Sequence, residues 1–150
     1  MSKKKYNLNT IYISERLQEN LKPISQSAFT AVTAPMGYGK TTAISWYLDK
    51  QSKNGNSCVI RISIYSDNLS VFWQSVQKAF AFAGLDFLDN YSCPSDAASA
   101  GMLADELCYS LNSQISYYIF IDDFHLLTDS RASAFLYMLA RRLSGNVHLI

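Results

Sequence analysis

A chain of 150 residues and 16.9 kDa fits one domain. Hydrophobic residues make up 49% and charged residues 17%, so a core can be buried and disorder is excluded. Thirteen Lys and Arg against 12 Asp and Glu leave a net charge of +1, without the basic footprint of a free-standing DNA-binding domain. Cys58, Cys93 and Cys108 are odd in number and contain no C-x-x-C pair. That argues against a disulfide framework and a cysteine-rich zinc site, and for a reducing compartment. Lys3, Lys4 and Lys5 are followed by Tyr6-Asn7-Leu8-Asn9-Thr10, which is no signal-peptide core. No apolar run reaches the roughly 18 residues of a membrane span. The expectation is a soluble, cytoplasmic protein with no membrane partner.

In chain order, residues 11–21 open with a short β-like stretch, then Ser14 can cap a short helix that Pro23 follows. Residues 28–34 read as a buried strand bounded by Pro35 and Gly37. A helix is expected from Lys40, turning Ala43, Ile44, Tyr47 and Leu48 inward. Asn54-Gly55-Asn56 is a turn, and residues 58–64 are a second strand. Ser70 can cap the next helix, whose stripe is Phe72, Val76, Ala79, Phe80 and Ala83. Pro94 and Ser95 open another, with Ala100, Ala104, Leu107, Cys108, Leu111 and Ile115 along one face. Residues 117–121 form a third strand ending at Asp122-Asp123. A last helix carries Ala132, Phe135, Leu136, Leu139 and Leu143, with Gly145 as its stop. A fourth strand starts at Val147. Strands alternating with helices predict an α/β fold with a parallel sheet covered on both faces. A chain that ends inside a strand reads as a fragment.

Ala34-Pro35-Met36-Gly37-Tyr38-Gly39-Lys40-Thr41-Thr42 has the G-x-x-x-x-G-K-[ST] spacing, with Ala34 in the place of the first Gly. A loop around phosphates turns its backbone N–H groups inward, which needs Gly where φ is positive or the ligand is close. Gly37 and Gly39 meet that need. The following helix aims its N-terminus at the same phosphates. Lys40 offers charge to the β- and γ-phosphates, and Thr41 offers a hydroxyl to Mg²⁺. The bland alternative is a chance G-K-T in a strand–helix turn. A strand predicted before it and a helix after it favour the phosphate loop. Asp122 and Asp123, at the carboxyl end of a buried strand, lie where ligands of open α/β sheets collect. Asp122 is assigned to the Mg²⁺ shell and Asp123 to positioning or activating water. The alternative is that both aspartates cap a turn.

Residues 34–42 resemble the A-P-x-G-Y-G-K-T-T loop of the large ATP-binding LuxR-type regulators, the family of the maltose-regulon activator. These are STAND-class signal-transduction ATPases within the AAA+-like P-loop NTPases. Ile119-Phe120-Ile121-Asp122-Asp123-Phe124-His125-Leu126-Leu127 is similar to their hydrophobic-D-D-Y-H-hydrophobic segment. Ile62-Ser63-Ile64 through Asp67-Asn68 to Phe72-Trp73 resembles their second-strand region. Ser14-Glu15-Arg16-Leu17 matches their R-L entry, which places Arg16 near the adenine.

The resemblance implies a nucleotide-binding (NB-ARC/AAA-like) domain holding Mg-ATP. Pro35, Met36, Gly37, Tyr38, Gly39, Lys40, Thr41 and Thr42 would bind it, with metal between Thr41 and Asp122. Lys40 and Asp123 would carry a slow hydrolysis. ATP binding would drive self-association in the full-length regulator, and DNA contact would belong to a C-terminal helix-turn-helix. The family's Ser-Arg γ-phosphate sensor lies beyond Ile150. The expectation is therefore that residues 1–150 are the N-terminal part of the ATP-switched domain. Two rivals stay open: a catalytic AAA+-type ATPase and a non-catalytic interaction module on a P-loop scaffold.

Other residues have plainer readings. His125 beside Leu126-Leu127 is expected to pack and hydrogen-bond rather than bind a ligand. Arg61 is expected to face the surface, and Arg141-Arg142 to complement a helix dipole. Cys58 and Cys108 read as core, and Trp46 and Trp73 as residues that pack or face a further domain.

Overall fold

The computed structural model describes residues 14–27, 29–32, 39–53, 55–94, 96–111, 114–142 and 145–150. Three strands, β1 (Ser57–Ser63), β2 (Ser116–Asp122) and β3 (Val147–Leu149), form one parallel sheet in the order β1-β2-β3. Among the described residues five α-helices surround it: α1 (Glu15–Leu21), α2 (Lys40–Ser52), α3 (Leu69–Phe82), α4 (Ala97–Ser110) and α5 (Ser130–Arg142). The architecture is the α/β parallel sheet expected from the alternation of strands and helices.

Side chains alternate across β2 and divide between two cores. Tyr117 and Ile119 face a core with Ile60, Ile62, Trp73, Phe80, Leu107 and Leu139. Tyr118 and Phe120 face the other, built from Leu21, Ile24, Ile44, Tyr47, Leu48 and Ile150. The strand is thus apolar on both sides, as a central parallel strand must be. A parallel bridge joins Phe29 to Leu149, and Thr30 N–H donates to Leu149 O at 2.8 Å. This part of the expected first strand therefore lies on the edge of β3 away from β2. Residues 28 and 33–34 of that strand lie outside the described residues, as do Asn54 of the turn and Leu143 of the last helix.

The start of α1 is as the sequence predicts, whereas those of α3 and α4 differ. Ser14 caps α1 by accepting from Leu17 N–H. Asn68, not Ser70, caps α3: its side chain takes the N–H groups of Ser70 and Val71. An amide oxygen two residues upstream reaches those donors, whereas Ser70 already lies inside the helix. Asp96 caps α4 with Ser99 in a reciprocal capping box, so that helix begins at Ala97 rather than at Pro94, and Ser95 lies outside the described residues. A short 3₁₀ helix, Asp86–Asn90, was not expected. It seats Leu88 in the larger core; Gln77 Nε2 donates to Leu88 O, and both it and Trp73 Nε1 donate to Tyr91 O.

Trp73 packs edge-on against Phe135, as a core residue should. Arg61 is exposed and pairs with Asp49 at 2.9 Å. Cys58 and Cys108 are only half-buried. Burial pushes the Cys58 thiol up, and Cys108 Sγ donates to Arg142 O at 3.0 Å.

Candidate nucleotide site at the carboxyl edge of the sheet

Gly39 immediately precedes α2 at φ 73°, ψ 25°. The left-handed region is open to glycine at little cost. No side chain caps this helix start, so the first N–H groups of α2 lack intrahelical partners and carry the positive end of the helix dipole. Lys40 is the first helical residue. Thr41, one position on, is exposed and donates its hydroxyl to Asp122, 3.2 Å from Oδ1 and 3.4 Å from Oδ2. Two residues 81 positions apart thus meet where the helix begins and β2 ends.

Asp122 Oδ1 also accepts the N–H of Asp123 at 3.0 Å. Asp123 is exposed and adopts φ 60°, ψ 34°, making it the one non-glycine residue of positive φ among the described residues. Aspartate tolerates this region better than most residues. Here it turns the chain out of the strand into a single 3₁₀ turn, Phe124–Leu126. Asp122 is thus tied to the phosphate-loop threonine, and Asp123 stands exposed at the strand end.

A cleft of about 730 Å³ opens here. Lys40, Asp122, Asp123 and His125 line its polar end, and Leu136 and Tyr137 of α5 its apolar side. His125 is exposed on this wall rather than packed. The 3₁₀ turn rotates it outward and leaves Leu127, two residues later, to fill the core. The apolar neighbours in the sequence gave the opposite impression. Tyr137 and Arg141, which lie against one another at 5.6 Å, also face the cleft. Helical periodicity marks them as surface but does not show which surface. Arg142 pairs with Asp105 at 3.0 Å, a closer tie than the dipole contact expected of it.

Of the other expected ligand residues, Thr42 is exposed on α2. Arg16 is exposed on α1 and does not line the cleft. Pro35, Met36, Gly37 and Tyr38 lie outside the described residues. No group of three or more His, Cys, Asp or Glu among the described residues is arranged to hold a metal. A metal here would have to share its shell with a hydroxyl, water and nucleotide oxygens. The Thr41 hydroxyl and Asp122 carboxylate are hard oxygen donors of the kind Mg²⁺ takes, and Mg²⁺ keeps few protein ligands. The residues fit.

A parallel sheet with a glycine–lysine–threonine turn at a helix N-terminus, facing an aspartate at the end of a central strand, defines a P-loop ATPase fold. The chain matches the AAA domain family over residues 22–150 and belongs to it. No curated protein matches it significantly in sequence. No helix among the described residues is long and apolar enough to cross a membrane.

Proposed function

We propose that this domain is the Mg-ATP-binding switch of a STAND-type, LuxR-family transcriptional regulator, with slow hydrolysis resetting the switch. The observation that carries the nucleotide part is the Thr41–Asp122 contact at 3.2 Å. It brings the phosphate-loop hydroxyl and the strand-end carboxylate to one point beside the uncapped start of α2. Gly39 and the following amides would receive phosphate oxygens, and Lys40 would neutralise the β- and γ-phosphates. Thr41 and Asp122 would hold the magnesium. When bound, that ion neutralises charge on the phosphates. Asp123 would orient a water as general base.

Support for the regulatory class comes from the tyrosine-containing phosphate loop and the D-D-F-H segment. In that class ATP binding drives self-association, and DNA is read by a separate helix-turn-helix. The near-neutral charge of this domain suits a switch rather than a DNA contact.

The test is the thermal midpoint with and without Mg-ATP and Mg-ADP, beside Lys40→Ala. Ligand at about 100 times its Kd adds about 2.7 kcal/mol of stability. For a chain of this size that is a shift of roughly 5–10 °C. The shift should vanish in Lys40→Ala. A cooperative melt with no shift in the parent supports the scaffold reading instead. Rapid turnover without any change in association state supports a catalytic AAA+-type ATPase.

A further inference from the structure

Asp67 lies in the loop between β1 and α3, 61 positions before Thr128. Both of its carboxylate oxygens are taken by that one residue. Oδ1 accepts the Thr128 N–H at 2.6 Å and Oδ2 accepts the Thr128 hydroxyl at 2.7 Å. Neither bond is needed to start a helix. Asn68 caps α3, and Asp129 accepts the N–H of Arg131 in the first turn of α5. What the Asp67 carboxylate does is tie two loops together.

Those loops leave adjacent strands on the edge that carries the candidate site. Ile64 N–H donates to Asp122 O at 3.1 Å, so the two chains still run side by side as they leave the sheet. The second chain then turns. Asp123 is left-handed, and the N–H groups of Leu126 and Leu127 bond back to Asp123 O and Phe124 O. Thr128 closes the turn. The segment bearing Asp123 and His125 is therefore fixed at its start by β2 and at its end by Asp67. Between these points only Leu127 is buried.

General-base chemistry is sensitive to position, and a displacement of about 1 Å can cost two orders of magnitude in rate. We propose that Asp67 is a positioning residue for Asp123, clamping Thr128 so that the turn after β2 keeps one conformation at the phosphate site. The proposal rests on the nucleotide reading above. Asp67 itself does not line the cleft. Its hydrogen bonds with the Thr128 hydroxyl and N–H hold its carboxyl below the usual carboxylate range, so the clamp is charged and closed at neutral pH.

The experiment compares the parent chain with Asp67→Ala, Thr128→Val, Thr128→Ser, Asp123→Asn and the Asp67→Ala/Asp123→Asn double variant. It reads Mg-ATP Kd, kcat and amide exchange over residues 122–128. Expected for Asp67→Ala is a kcat lowered about tenfold with Kd within about twofold, and faster exchange over the turn. Thr128→Val should fall in the same direction and Thr128→Ser should retain the parent rate. Adding Asp67→Ala to Asp123→Asn should cost nothing further, because the two act through one group.

Unchanged exchange or unchanged kcat in Asp67→Ala overturns the positioning role alone. An equal loss in binding and turnover also overturns it, since Asp67 would then serve the bound nucleotide directly. A parent that binds Mg-ATP but never turns it over overturns it too. A parent that binds no Mg-ATP overturns the nucleotide reading, and the positioning role falls with it.

Discussion

Asp123 shows how one backbone angle and one carboxylate are connected. At φ 60° a β-branched side chain crowds the following carbonyl, at a cost of about 1–2 kcal/mol. Asparagine and glycine accept the angle readily. Asp123→Ile should therefore lose about 1–2 kcal/mol in urea unfolding, while Asp123→Asn should unfold within about 0.5 kcal/mol of the parent. Both should lose hydrolysis if Asp123 orients water. A normal rate in Asp123→Asn would remove that role and leave the residue as a turn former. Both aspartates were visible in the sequence because they follow an apolar strand directly. His125 was misjudged because its sequence neighbours are apolar, while its direction is set by a 3₁₀ turn that local composition does not encode. The Asp67–Thr128 bond had no local signal at all, since it joins residues from two different strand ends.

At the level of elements, α4 and α5 pack against one another. A Cβ on Gly101 would come within 3.2–3.4 Å of the Arg142 guanidinium. That group also bonds Gly101 O and both oxygens of Asp105. The ion pair is exposed on both sides, and such pairs contribute at most about 1 kcal/mol. Alanine gains about 1 kcal/mol of helix propensity over glycine, and a flexible guanidinium can move aside. Gly101→Ala should thus be neutral or stabilising by up to about 1 kcal/mol in urea unfolding. A loss above about 1 kcal/mol would mean that Arg142 has nowhere else to go.

Loop carboxylates set the acid response. The Arg131 side chain and N–H hold Asp129 down from 3.8 to about 2, and Ser99 lowers Asp96. Each is more acidic folded than unfolded, so its contribution is present above the unfolded value and is lost as pH falls through the folded one. For Asp129 the loss spans pH 3.8 to about 2. The thermal midpoint should fall over that range, by slightly less in Asp129→Asn because an exposed pair is screened by solvent. Identical profiles would show that this pairing contributes nothing. Helix existence was legible from apolar spacing, and so was the Ser14 cap, but the caps of α3 and α4 were not. Serine, asparagine and aspartate all qualify as caps, and only the entering backbone decides between Asn68 and Ser70.

Taken as a whole, the molecule is a sheet between two separate cores, and β2 supplies side chains to both. Ile119 is 2% exposed and lies in the larger core. Ile119→Ala should cost about 2–5 kcal/mol, the transfer term plus the cavity left behind. Tyr118 faces the other core, where its hydroxyl meets Ser25 at 2.9 Å and its ring stacks on His148. The α/β class and parallel sheet were legible from long apolar strands alternating with helices. The order of the strands was not, because pairing across a parallel sheet leaves no mark on local sequence.

That order has a consequence for how the protein is made. Ser27 O meets His148 Nδ1 across 121 positions of chain, and Phe29 bridges to Leu149 two residues further on. Phe29 and Thr30 leave the ribosome early, but their neighbour β3 comes more than a hundred residues later in the chain. At about 5–20 residues per second, the wait is roughly 6–24 s. Until then Phe29 and Thr30 have no β3 to lie against. A nascent chain stalled before residue 147 should therefore hold no nucleotide, however well its helices have formed.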